Sequence, residues 1–239
     1  MDELEVRRSV RDRYGRPGSG CGGSSDSSCC GHEPASADSA GRADAADILR
    51  LGVGEPLERL APREGETVLD LGSGPGRDVL VAAERVGPRG RAIGVDATPE
   101  MVFRAREAAR SLGRTSAEFR LGEIEHLPVA SGSVDGVTSD CVVNLSPDKA
   151  QVFREAFRVL RPGGRFVLSD VVADPGRTGE LRHDAEGWAA CEAGAVTLAE
   201  YEALLRGAGF VDVHSEVLGT SREGLLSRAL VTAAKPVPP

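Results

Sequence analysis

No stretch of the 239 residues approaches the roughly 18 consecutive apolar positions that a bilayer-spanning helix needs. The opening residues, Met1-Asp-Glu-Leu-Glu5, lack an apolar stretch of the secretory kind, and nothing hydrophobic follows Arg7-Arg8 as in a twin-arginine export signal. Positive charge is in short supply as well. The 29 lysines and arginines stand against 37 aspartates and glutamates, and the formal net charge of −8 argues against a nucleic-acid backbone or an anionic membrane as partner. The cysteines, Cys21, Cys29, Cys30, Cys141 and Cys191, are odd in number and contain no C-x-x-C pair. A disulfide framework is therefore not expected, and a monomer in the cytoplasm, where thiols stay reduced, is.

What is present is the composition of an ordinary globular protein. Hydrophobic residues make up 40% and charged residues 28%, and the length suits one α/β domain with a sizeable core plus a modest appendage. Residues 2–14 are charge-rich, with Leu4, Val6, Val10 and Tyr14 at loosely helical spacing. From 15 to 40 the chain turns to Gly, Ser, Asp and Pro, a composition that buries too little apolar surface to offset its ordering entropy. Cys21, Cys29, Cys30 and His32 lie there. A mobile tail, a zinc site and a flexible thiol arm are the three readings of that cluster. The adjacency of Cys29 and Cys30 weakens the zinc reading.

The organising stretch runs from Thr67 to Arg77 and reads Thr-Val-Leu-Asp-Leu-Gly-Ser-Gly-Pro-Gly-Arg. A short apolar run ending in three alternate glycines predicts a buried parallel strand turning tightly into a helix, with backbone open to a ligand. Around it the sequence predicts helices over 41–51 and up to Leu60, then over 78–86, 99–112, from the Ser146-Pro147 cap to before Arg161, and over 197–207 behind a Thr197/Glu200 capping box. Strands are predicted over 91–95, 117–121, 134–139 and 165–171, with 211–217 and 226–234 as a closing pair. An irregular insertion spans 173–196. This alternation predicts a doubly wound α/β sheet with a terminal antiparallel hairpin, and two units: 1–40, a helix with a flexible Gly/Ser/Cys-rich segment, and 41–239, the domain that holds the sheet.

The glycine turn is spaced G-x-G-x-G rather than G-x-G-x-x-G. Asp96, at the end of the second strand, is placed to accept a ribose diol, and Glu123 follows the third strand where an adenine edge would lie. Together, Asp70-Leu-Gly-Ser-Gly-Pro-Gly76, Asp96, Gly122-Glu-Ile124 and Leu160-Arg-Pro-Gly-Gly164 resemble the motif series of class I S-adenosylmethionine-dependent methyltransferases over residues 67–234. The resemblance implies a Rossmann-like seven-stranded sheet. It implies a cofactor site made by Asp70, Gly72, Ser73, Gly74, Gly76, Asp96, Ala97, Glu123 and Ile124.

For the methyl acceptor, Cys141 falls at the end of the fourth strand, where ligands of doubly wound sheets bind, and Cys191 lies in the insertion that could fold over the same mouth. Either could also be a small packing residue. None of the four histidines, His32, His126, His183 and His214, stands near these motifs to act as a general base. A soft centre held by thiolates, such as trivalent arsenic, carries its own lone pair and needs none.

Asn144-Leu-Ser-Pro-Asp-Lys149 after Cys141, and Cys191-Glu-Ala-Gly-Ala195, look like the arsenite S-adenosylmethionine methyltransferase family; Val10-Arg-Asp-Arg-Tyr-Gly15 and Cys29-Cys30-Gly31 are similar to its N-terminal pattern. The resemblance implies arsenic(III) bound at Cys141 and Cys191, substrate contacts from Cys29, Cys30 and Asn144, a thiol reductant such as glutathione or thioredoxin, and a role in arsenic detoxification. One departure stands out. Val53 occupies a position where family members often carry a further cysteine, so a third thiolate would come from Cys29, Cys30, a cellular thiol or nowhere. Two rivals are methylation of a small organic metabolite, which would not depend on cysteine, and a non-catalytic arsenical-binding protein.

Overall fold

The structure, a computed structural model, describes residues 3–14, 56–176, 178, 181, 187–188, 191–221 and 224–239. The expectations for 15–55, including the Gly/Ser/Cys-rich segment, the helix over 41–51 and Val53, lie outside the described residues.

Seven strands form one sheet: β1 (Thr67–Leu71), β2 (Arg91–Asp96), β3 (Ala117–Leu121), β4 (Val134–Asp140), β5 (Leu160–Ala173), β6 (Val211–Ser221) and β7 (Leu226–Ala234). Their order is β3-β2-β1-β4-β5-β7-β6. The first five are parallel, and β7 runs antiparallel to both β5 and β6, as the doubly wound sheet with a terminal hairpin requires. Because β1 is flanked by β2 on one side and β4 on the other, the chain reverses its winding there. The crevice beyond the carboxyl ends of β1 and β4 is the topological switch point.

Side-chain alternation along β1 builds two cores. Val68 faces helices α2 (Pro56–Leu60), α3 (Arg77–Val86) and α4 (Pro99–Ser111), packing with Leu60, Val79, Val86, Val102 and Phe119. Leu69 and Leu71 face the other way, toward α5 (Lys149–Val159) and α6 (Leu198–Gly207), with Phe153, Phe166, Tyr201 and Leu205. A third, smaller cluster of Val171, Ala173, Leu181, Ala195 and Leu226, with Cys141 packed on it, ties the segment after β5 down to the sheet. An N-terminal helix, α1 (Glu3–Tyr14), buries Val6. Among the described residues no helix is long and apolar enough to cross a membrane.

Two local expectations need correction. The cap of α5 is Asp148, whose carboxylate accepts from the Gln151 N–H at 2.9 Å, and not Ser146. Ser146 is unavailable because its hydroxyl donates to the buried Glu125 at 2.6 Å, which leaves Pro147 outside the helix. Arg161-Pro-Gly-Gly164, left between the predicted helix and the strand predicted over 165–171, is absorbed into β5: Leu160 pairs with Val134 and Arg165 with Gly136, so the extra residues bulge. Gly163 and Gly164 bond instead to Lys235 beyond β7. The Thr197/Glu200 capping box is formed in full.

Candidate active site

The glycine turn follows β1 into the switch point. Gly72 and Ser73 donate to the Val95 carbonyl at 2.8 and 3.1 Å, and Gly74 donates to an Asp96 carboxylate oxygen at 2.8 Å. The other Asp96 oxygen accepts from Thr98 at 2.8 Å, so Asp96 is fixed in orientation with lone pairs left for a ligand. Gly74 has left-handed φ of 51° and open space where a Cβ would sit, which makes it the glycine a ligand can approach.

The turn is also an acidic nest. Asp70 is buried at the end of β1, and burial followed by the fields of Asp78, Asp140 and Asp96 pushes its carboxyl well above the usual range. A carboxylate in that state is relieved by a bound cation. The Ser73 hydroxyl is buried without a hydrogen-bond partner among the described residues. An open backbone turn, a diol acceptor and a cluster of carboxylates around Asp70 fit S-adenosylmethionine, whose sulfonium and ammonium are cationic.

The two cysteines predicted to act together meet at this mouth. Cys141 and Cys191, fifty residues apart, bring their sulfurs to 3.7 Å, and the Cys191 thiol also lies 3.5 Å from the Cys141 carbonyl. Both adopt left-handed backbone, φ 54° and 61°, and they are two of four non-glycine residues that do so among the described residues. Such a conformation costs about 1–3 kcal/mol each and persists only where the surroundings impose it. Here β5 imposes one, through the Cys141 N–H donated to Ser169 at 2.8 Å; the turn after Gly187 imposes the other, through the Cys191 N–H donated to Trp188 at 3.0 Å. The hydrogen bond to Cys191, then burial, raises the Cys141 thiol well above the ordinary cysteine value.

The residue after Cys141 meets the glycine turn. A Cβ on Gly72 would stand 2.3 Å from the nearest Val142 methyl, so the residue beside Cys141 packs flush against the glycine turn. Donor site and thiol pair share one wall.

Beneath the thiols lies a buried polar network. Asn144 donates its side-chain amide to Asp170 at 2.8 Å and to the Val171 carbonyl at 2.6 Å, and accepts from the Tyr201 hydroxyl at 2.6 Å. Its side chain is therefore committed internally, and it braces the loop after β4 rather than pointing a free amide into the mouth. Asp170 accepts from Asn144, Val171 and Tyr201, yet full burial outweighs these donors and raises its carboxyl to about 6. A folded-state pKa above the unfolded one means this contribution to stability is full below about pH 4 and lost as pH rises through 6, by up to about 3 kcal/mol at 1.36 kcal/mol per unit. Asp170→Asn cannot titrate, so the stability gap between wild type and variant should narrow from pH 4 to 7 in denaturant titrations. A constant gap would contradict the assignment.

Glu123 and Ile124, expected beside an adenine, are otherwise engaged. Glu123 ion-pairs with Arg7 and Arg11 of α1, the latter at 2.7 Å, and the Ile124 side chain is buried in the core. Arg7 also reaches Glu125 at 3.5 Å, so α1 is tied to the third strand's end. Cys29 and Cys30 lie outside the described residues, as does Cys21. Sequence reasoning gave no role to Glu125, Lys149, Asp170, Trp188 or Tyr201. Only Lys149 carried a signal, as the last residue of the Asn144–Lys149 stretch.

Comparison with known proteins places this geometry in a family. A family model described as a methyltransferase domain matches residues 62–209. An arsenite methyltransferase of Halobacterium salinarum is 46% identical over 228 residues, covering 87% of this chain and 58% of that protein. A second, from Aquipseudomonas alcaligenes, is 45% identical over 156 residues, covering 62% and 45%. The crystal structure of an arsenic(III) S-adenosylmethionine methyltransferase from Chlamydomonas reinhardtii superposes with a TM-score of 0.65 at 37% identity, covering 74% of this chain and 66% of that one. The chain thus spans about half the length of the curated relatives it matches. The seven-stranded sheet, the glycine turn at its switch point and the family match agree: the chain belongs to the methyltransferase domain family.

Proposed function

We propose that this chain transfers a methyl group from S-adenosylmethionine to trivalent arsenic captured by Cys141 and Cys191. One observation carries the reading: two thiols from distant segments, each on a left-handed backbone, lie 3.7 Å apart against the turn that fits the donor. The names of the relatives support the same substrate.

When bound, S-adenosylmethionine supplies an electrophilic methyl group on a cationic sulfur, and the arsenic lone pair takes it. The protein's part is capture, orientation and exclusion of water. Cys141 and Cys191 replace two hydroxides of arsenite as thiolates, and each hydroxide leaves as water with the thiol proton. Soft sulfur suits soft arsenic, and thiolate ligands keep the lone pair available. Asp96 and the Gly74 N–H bonded to it fix the donor side; Asp70, with Asp78 and Asp140 near it, offers negative charge to the cationic donor. Asn144, Asp170 and Tyr201 hold the loop that presents Cys141. A third thiolate comes from Cys29, Cys30 or glutathione, because Val53 cannot ligate. A thiol reductant such as glutathione or thioredoxin keeps the cysteines competent, the compartment is the cytoplasm, the protein acts as a monomer, and the role is arsenic detoxification.

Incubating the protein with arsenite, S-adenosylmethionine and glutathione, then speciating arsenic, tests this. Methylated arsenic is the expected product. Its absence, or cysteine-independent methylation of an organic acceptor, would overturn the proposal.

A further inference from the structure

The segment bearing Cys191 and the loop bearing Cys141 must stay together for two thiols to act on one atom, and one side chain sits at their seam. Lys149 turns its ammonium back along its own loop and donates to the Ser146 carbonyl at 3.0 Å and, more weakly, to the Asn144 carbonyl at 3.5 Å. It also lies over the Trp188 ring, 5.6 Å from its centroid. Trp188 belongs to the other side of the seam: its carbonyl accepts the Cys191 N–H at 3.0 Å, and the neighbouring Gly187 carbonyl accepts from Glu192 and Ala193 at 2.9 and 3.0 Å.

The two sides are in close contact. A Cβ on Gly194 would fall 1.9 Å from the Asn144 carbonyl oxygen and 2.8 Å from the Trp188 ring, so the backbone after Cys191 is pressed onto the carbonyl that Lys149 approaches. No ion pair within 4.0 Å partners Lys149 among the described residues; Asp170, Cys191 and Glu125 act on it at longer range, and burial lowers it to about 8. A half-buried cation spent on two carbonyls and one ring face is an unusual use of lysine; the ring contact needs the positive charge, and the carbonyl contacts are strengthened by it.

We propose that Lys149 is a positioning residue for arsenical capture, its ammonium fastening the Cys191 segment through Trp188 onto the loop that carries Cys141. The charge, not the aliphatic stem, does the fastening. The inference rests on the reading that this thiol pair captures the arsenical.

The test uses phenylarsine oxide, which condenses with two thiols to give a dithiolate and one water and needs no methyl donor. In the full chain with Cys21, Cys29 and Cys30 replaced by serine, Cys141 and Cys191 are the only thiols. Protection of this pair from alkylation, read by mass spectrometry across a phenylarsine oxide titration, gives the capture affinity. Lys149→Met keeps the stem and removes the charge; it should weaken capture about tenfold while leaving the thermal midpoint and S-adenosylmethionine affinity as in the parent. Lys149→Arg, which keeps charge and stacks on aromatic faces, should restore capture to within about threefold. Trp188→Leu provides an independent arm and should weaken capture in the same direction. Capture by Lys149→Met within about twofold of the parent, or equal loss in Lys149→Arg, would overturn the proposal. Failure of the wild type to methylate arsenic would instead overturn the proposed function and leave this capture result standing.

Discussion

Cys141→Ser and Cys191→Ser should each abolish methylation of arsenite and of methylarsenite, lowering turnover by about two orders of magnitude or more. Serine is nearly isosteric, so the fold and the glycine turn should remain, and S-adenosylmethionine should bind either variant as it binds the wild type. What is lost is the soft ligand: a hydroxyl neither ionises near neutral pH nor matches arsenic. With sulfurs 3.7 Å apart, the loss of either leaves a single anchor about which the arsenical can rotate, and the orientation advantage goes with it. Product speciation beside calorimetry of the donor separates the two steps. Retained turnover in either variant would make these cysteines packing residues, the bland reading the sequence allows for any single buried cysteine.

Gly72→Ala should weaken S-adenosylmethionine binding by at least about tenfold, or 1.4 kcal/mol, with turnover falling in parallel. Two costs combine. The residue sits at φ 68°, where a side chain costs about 1–2 kcal/mol. The new methyl would also stand 2.3 Å from Val142, inside any tolerable contact, so either the turn or the loop bearing Cys141 must shift. The second cost is reversible. Val142→Ala added to Gly72→Ala opens the space and should recover part of the binding, whereas Val142→Ala alone should have a small effect. Equal binding in wild type and Gly72→Ala would show that the turn and the acceptor loop are not in register as described.

The fold was legible because its signals are local. The apolar run before Gly72, the caps at Thr197 and Pro99 and the punctuation at Gly87-Pro88 each report on a few adjacent residues, and the strands and helices fall where those signals place them. Local reasoning failed where a distant partner claimed the group in question. Ser146 reads as a helix cap until Glu125, twenty-one residues away, takes its hydroxyl. The strand predicted from Arg165 starts instead at Leu160, because Lys235, beyond β7, bonds to Gly163 and Gly164. The candidate site divides the same way. Asp70, Gly74 and Asp96 follow directly from a strand ending in a glycine turn, whereas the approach of Cys191 to Cys141 depends on tertiary packing that no spacing encodes. The Asn144–Asp170–Tyr201 network and the Lys149 seam were invisible for that reason, since the first draws on three separate segments and the second on two.

Arsenic K-edge absorption of the full chain loaded with one equivalent of methylarsenite counts the sulfur atoms on the metalloid. Two sulfurs and one carbon are expected for the Cys21/Cys29/Cys30→Ser background, with one sulfur lost when Cys141 or Cys191 is also replaced. An arsenic environment unchanged by replacing Cys141 and Cys191 would contradict capture by this pair.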